Sequence, residues 1–214
     1  MKKYYLLFLL IILIGSSISC KKDRETPYEP PKDKYYFTGK VKDISKSFTE
    51  DVNGYGLYKA GGCGTNGVEF FATYGTGFKQ KSGYYILSNE KIRVCFKNIY
   101  RKASWNGDSL FNNYFKPGLS VNWYSLVNVD TTTVNPYTIN GVEITWVDGK
   151  GDSYSTQWGD QSGSQFIFTE ANLLTPGVLM RVKANFNCKV YDKFGNYLVM
   201  KDCVLMCPFE EPCY

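Results

Sequence analysis

Met180 to Val190 reads Met-Arg-Val-Lys-Ala-Asn-Phe-Asn-Cys-Lys-Val. Met180, Val182, Ala184, Phe186, Cys188 and Val190 fall on one face, and Arg181, Lys183, Asn185, Asn187 and Lys189 on the other. An apolar/polar period of two kept up this long specifies a half-buried antiparallel strand, because successive side chains leave opposite faces of the pleat. Asp192 to Asn196 then turns the chain. Gly195 suits a left-handed turn position, and the Asp192 carboxylate suits the capping of that turn. Tyr197 to Met206 returns as the partner strand. The rest of the chain must supply sheet to cover the apolar face of this hairpin.

Upstream the same signal recurs in shorter pieces. Phe37, Gly39 and Val41 alternate with polar residues, as do Val68, Phe70, Ala72 and Tyr74. Tyr84 to Leu87 and Ile92 to Ile99 flank a turn at Ser88 to Lys91. Leu119, Val121, Trp123 and Val127 are assigned one face, and Val142, Ile144 and Trp146 another. A Gly-rich turn at Asp148 to Asp152 leads to a strand over Ser153 to Trp158, and Gln165 to Thr169 completes the set. Twenty Gly, eighteen Tyr and fourteen Phe, with hardly any helical period, fit this reading. The expected fold is all-β, an antiparallel two-sheet β-sandwich of about nine or ten strands, with a closed barrel as the alternative.

The N-terminus has a different character. Lys2 and Lys3 precede an apolar run from Tyr4 to Ile14, followed by small residues up to Cys20. That order makes residues 1–19 a secretory signal peptide. The apolar run is shorter than the roughly 18 residues that span a bilayer. Ile18-Ser19-Cys20 resembles a bacterial lipobox, which implies cleavage before Cys20 and diacylation of its sulfur. Lys21 to Lys34 mixes charge with Pro27, Pro30 and Pro31, so residues 20–34 read as a lipidated cysteine on a disordered tether. At about 3.1 Å per residue the tether lifts a domain roughly 40 Å from a membrane. The charged run Lys21-Lys22-Asp23-Arg24-Glu25 resembles the export signal of surface-displayed Bacteroidota lipoproteins. Residues 35–214 are one domain's worth of chain. Without Lys2 and Lys3 the 25 basic residues fall to 23 against 20 acidic ones, a net charge of +3. No basic cluster argues for nucleic acid.

Gly141 to Trp146, the Asp148–Tyr154 turn, Gln161-Ser162-Gly163-Ser164 and Phe186 to Asn196 resemble the C-terminal half of small Bacteroidota cell-envelope lipoproteins. The resemblance covers roughly 140–206 and the leader. It implies a β-sandwich and an outer-membrane location on the periplasmic or cell-surface face. It brings no catalytic residues.

The chain has no histidine. Ser-His and Cys-His nucleophile pairs and the usual zinc and copper sites are therefore excluded. Ser88 to Lys91 matches the S-x-x-K of serine β-lactamases, and Lys81-Ser82-Gly83 approximates K-T-G. Both lie at strand turns in reversed order, so they read as polar turns. Gly61 to Gly67 lacks the Lys-Ser/Thr ending of a phosphate loop and reads as an inter-strand loop. Asp148 to Asp152 reads as a hairpin turn and not as a calcium loop. No metal or cofactor is expected.

Besides Cys20, six cysteines form an even set suited to disulfides in an exported protein: Cys63, Cys95, Cys188, Cys203, Cys207 and Cys213. Cys207 and Cys213 bracket a short C-terminal loop, while Cys188 on the apolar face also fits a buried thiol. Recognition is assigned to loop aromatics beside amides and carboxylates: Trp105, Asn106, Asp108 and Tyr114 in the long Tyr100 to Pro117 loop, and Trp158. The expected function is a non-catalytic binding module for a glycan or a partner protein, anchored to the membrane by its lipid. The alternatives are a structural or assembly subunit of an envelope complex, or a carboxylate-based glycan hydrolase.

Overall fold

The computed structural model describes residues 34–65, 70–81, 89–101, 112–127, 129–130, 132–134, 139–176 and 178–210. They contain strands β1 (Tyr36–Val41), β2 (Ile44–Thr49), β3 (Tyr55–Lys59), β4 (Gly62–Thr65), β5 (Phe70–Gln80) and β6 (Lys91–Arg101). Strands β7 (Gly141–Val147), β8 (Ser153–Ser155), β9 (Gln165–Thr175), β10 (Leu179–Tyr191) and β11 (Tyr197–Glu210) follow. The fold is all-β. All eleven strands belong to one sheet in the order β2-β1-β11-β10-β8-β7-β6-β5-β3, with β4 added to β5 and β9 to β10. Every pairing between these strands is antiparallel.

The expected division into two facing sheets is not what this pairing gives. A single path of hydrogen bonds curls into a nearly closed, barrel-like sheet. The physical cause lies in the bulges. Register shifts fall between Phe186 and Cys188, between Thr38 and Lys40, and between Ala72 and Tyr74. Each bulge bends and twists its strand, which lets one long sheet wrap around a core.

The hairpin at the centre matches its sequence. Met180, Val182, Ala184, Phe186, Cys188 and Val190 are all buried. At its turn Gly195 has φ +86°, and the Asp192 carboxylate accepts from the Phe194 and Asn196 amides at 2.8 and 2.9 Å. The Asp148 turn is built alike: its carboxylate accepts from Lys150 and Asp152 amides at 2.9 and 3.0 Å, with Gly151 at φ +93°. In each turn the leading aspartate thus turns one carboxylate oxygen onto its own backbone.

Several other elements differ from the expectation. Gly62–Thr65 is strand β4 and not part of a loop. The segment around Leu119 to Val127 is not a strand: it carries only isolated bridges, Ser120 to Ile167 and Trp123 to Val142. It still has a structural task. Gly118 and Val121 donate to the Phe168 and Phe166 carbonyls, and Tyr124 donates to that of Val142. The segment thereby bridges β9 to β7 and fills that flank of the barrel. The Tyr84 to Leu87 strand lies outside the described residues.

Aromatic rings dominate the described core. Phe37, Phe48, Trp146 and Phe186 form one aromatic layer, with Phe48 stacked 4.4 Å from Tyr55 and 5.7 Å from Trp146. Phe96, Phe115, Phe166, Phe168 and Phe209 form a second, with centroids 5.0 to 5.6 Å apart around Phe96. Such ring-on-ring packing fills the space between these strands.

Candidate anion-binding face

Of the recognition residues expected from the sequence, only Tyr114 and Trp158 fall among the described residues. Trp105, Asn106 and Asp108 lie outside the described residues. Tyr114 is half-buried and packs against the core. Trp158 is 42 % exposed at the end of a short 3-10 turn, Thr156–Trp158. In the same long connection Phe115 is a core residue, 2 % exposed.

The cysteines also part company. Cys95, Cys188, Cys203 and Cys207 are free and buried, so none of them is in a disulfide, including the expected Cys207 to Cys213 closure. Burial pushes the Cys95 thiol up to about 11 and that of Cys203 up to about 12. Cys188 and Cys207 are raised well above the ordinary value for the same reason. They act as small hydrophobes. Cys63 is disulfide-bonded. Cys20 and Cys213 lie outside the described residues.

A different set of groups converges on the outer face of β3, β5, β6, β7 and β8. Ladder register places them in rows across the sheet. Tyr58 lies opposite Gly77, Gly77 opposite Arg93, Arg93 opposite Thr145, and Thr145 opposite Ser155. Two residues along on the same face, Gly56 opposes Lys79, Lys91 opposes Val147 and Val147 opposes Ser153. Phe78, Ile92 and Trp146 occupy the alternate, inward positions. The outward glycines make room. A Cβ at Gly77 would stand 2.2 Å from the Ile92 carbonyl oxygen and 2.8 Å from the Tyr58 ring, so that ring lies over the bare backbone. The result is a shallow recess of about 320 Å³ lined by Tyr58, Lys79, Lys91, Arg93, Thr145, Val147 and Ser153.

Its electrostatics favour a negative guest. The Lys79 ammonium sits 5.2 Å from the Tyr58 ring centroid, and both Lys79 and Lys91 are exposed. Arg93 donates to the Thr145 hydroxyl at 3.0 Å. Burial pushes the Tyr58 phenol up to about 12, so at neutral pH it is a hydrogen-bond donor and not an anion. Beside the recess, Glu143 is 2 % exposed, with Lys97 at 3.0 Å and Arg93 at 3.7 Å. The Ser155 hydroxyl donates to it at 3.0 Å. Two cations and hydroxyls hold this carboxylate. The cluster can bind and orient an anion.

Sequence reasoning placed the Ile92 strand but passed over these groups. The available signal was Tyr74-Gly75-Thr76-Gly77-Phe78-Lys79, with glycines on the outward positions, and the outward Lys91 and Arg93 around Ile92. No group of three or more metal-ligating side chains occurs among the described residues. No described helix is long and apolar enough to cross a membrane. Comparison with protein families, curated proteins and solved structures gave no match.

Proposed function

We propose that this protein is a lipid-anchored cell-envelope protein whose barrel binds an acidic glycan, without catalysing a reaction, on the outer face of β3, β5, β6 and β7. The observation that carries the reading is the recess in which Lys79, Lys91 and Arg93 surround Tyr58, Thr145 and Ser153. Cations supply attraction for a uronate or sulfate, and the hydroxyls and phenol supply oriented hydrogen bonds to a sugar. The buried Phe78, Ile92 and Trp146 behind the recess support a site on the outer face. The charged start, apolar run and small residues ending at Cys20 support export and anchoring at the outer membrane, and the tether gives the barrel reach.

Polygalacturonate and neutral dextran discriminate the ligand class in a binding titration. The reading expects saturable, salt-sensitive binding of polygalacturonate and none of dextran. Equal binding of both, or of neither, contradicts it. Anchoring is tested separately: Cys20→Ala is expected to abolish palmitate labelling and release the protein from membranes. A variant that stays membrane-bound refutes the lipid anchor.

The second reading, an assembly subunit, draws on the open outer edge of β2, where Ile44 is 60 % exposed. Strand addition from another chain uses such an edge. The edge is short, only six residues, which limits that pairing.

A further inference from the structure

The outer face of β9, β10, β11, β1 and β2 differs in chemistry from the cationic recess. Ladder register lays a row across it: Ser47 opposes Thr38, Thr38 opposes Val204, Val204 opposes Asn185, and Asn185 opposes Ile167. Phe37, Phe48, Leu205, Ala184, Phe166 and Phe168 take the alternate positions and are buried. Neutral hydroxyls and an amide thus run over the sheet, with one branched aliphatic side chain on each side of Asn185. In the next row Asn187 opposes Gln165. The Asn187 Oδ1 accepts from the Gln165 backbone amide at 2.9 Å, which holds this carboxamide in place and leaves its Nδ2 to donate elsewhere.

A bulge shapes this face. Phe186 opposes Cys203 and Cys188 opposes Met200, so Asn187 alone stands against Lys201 and Asp202. The extra residue bends β11, and Asp202 takes φ +53°. Its carboxylate accepts from the Lys40 ammonium at 2.9 Å, so its charge is balanced at the rim. Asn185, Asn187 and Gln165 line the resulting recess of about 470 Å³ together with Val204, Ile167 and Asp202. That volume is in the range of small-ligand sites.

We propose that this recess binds an N-acetylated amino sugar through its acetamido group. An acetamide carries a carbonyl acceptor, an N–H donor and a methyl group. The Asn185 carboxamide has both matching functions, so it gives one hydrogen bond to that group and takes one from it. The methyl then rests on Val204 or Ile167, which the register places on either side of Asn185. Asn187 and Gln165 meet the ring hydroxyls. The balanced charge favours a neutral guest, in contrast to the Lys79, Lys91 and Arg93 cluster. A glucan such as dextran has hydroxyls but no acetamide, and leaves the Asn185 amide and its apolar neighbours unmatched. The recess shares no residue with the cationic site, so its ligand does not depend on the acidic-glycan reading.

Titration of the full chain with tri-N-acetylchitotriose, followed by NMR at the side-chain amides of Asn185, Asn187 and Gln165, tests the site. Cellotriose is the control, since it differs only in carrying hydroxyls where the first sugar carries acetamido groups. The expected result is saturable shifts with the acetylated sugar and none with cellotriose. Asn185→Ala, read at Asn187 and Gln165, is expected to weaken binding about tenfold or more. Its Tm is expected to match the wild type, because the Asn185 side chain is exposed. Lys79→Glu/Lys91→Glu is expected to bind the acetylated sugar as the wild type does, which separates this site from the cationic one. Equal shifts with both sugars, no shifts with either, or undiminished binding by Asn185→Ala overturns the proposal. Shifts at the same amides that follow protein concentration and not sugar also overturn it, and assign the face to contact between copies of the chain.

Discussion

Gly77 and Gly195 are both glycines by necessity, for opposite reasons. Gly77 faces backbone: its missing Cβ would meet the Ile92 carbonyl oxygen at 2.2 Å. Gly77→Val is expected to cost about 1–3 kcal/mol in chemical denaturation and to lift the Tyr58 ring from the recess floor. Gly195 has open space around it but φ +86°. Gly195→Val is expected to cost about 1–2 kcal/mol through backbone strain alone. An unchanged denaturation midpoint in either variant refutes the corresponding cause. The same turn has a pH dependence. The Asn196 side-chain amide, then the turn's backbone amides, hold the Asp192 carboxyl below the ordinary carboxylate range. Its folded-state value being lowered, its stabilisation is present above the unfolded value near 4 and is lost as pH falls through the lowered one. Asp192→Asn is expected to flatten that acid limb of a stability-against-pH curve, and an unchanged limb assigns it to other groups. Gly195 was readable from sequence because its cause is local, a turn between two periodic strands. Gly77 was not, since Ile92 and Tyr58 reach it only through the fold.

At the scale of elements, β10 was legible because both determinants of a strand, period and turn, lie within it. Phe186 shows what the pattern implies in packing: its ring stacks 5.5 Å from Phe166 and 6.2 Å from Phe37. Phe186→Ala is expected to cost about 3–5 kcal/mol, from lost transfer energy and the cavity left behind, as measured by denaturant titration. A cost below about 1 kcal/mol denies that this face is core. Phe115 carries a parallel expectation, because it sits in a connection and yet meets Phe96 at 5.2 Å and Phe209 at 5.4 Å. The sequence offered the long connection as a loop for recognition. A strandless segment can still anchor a core when its backbone bonds to two strand edges, as Gly118 to Tyr124 does with β9 and β7. No periodic signal marks that role.

For the whole molecule, the choice between sandwich and barrel depends on which strands pair over long sequence separations. Inward and outward residues are the same in both, so alternation alone could not decide between them. The bulges that curl the sheet leave little trace in the pattern. The candidate site shares this property, because Tyr58, Lys79, Arg93 and Thr145 meet only through three successive ladders. The most direct test of the acidic-glycan account is therefore a charge reversal confined to that face. Lys79→Glu/Lys91→Glu is compared with Lys150→Glu/Lys193→Glu, an equal change placed on two exposed turns. Polygalacturonate is titrated into each by calorimetry at low and high salt. The account predicts that the first pair weakens binding by about tenfold or more and removes most of its salt dependence, while the second pair binds like the wild type. Equal affinity in both pairs, or equal loss in both, would contradict a site on the β3–β7 face.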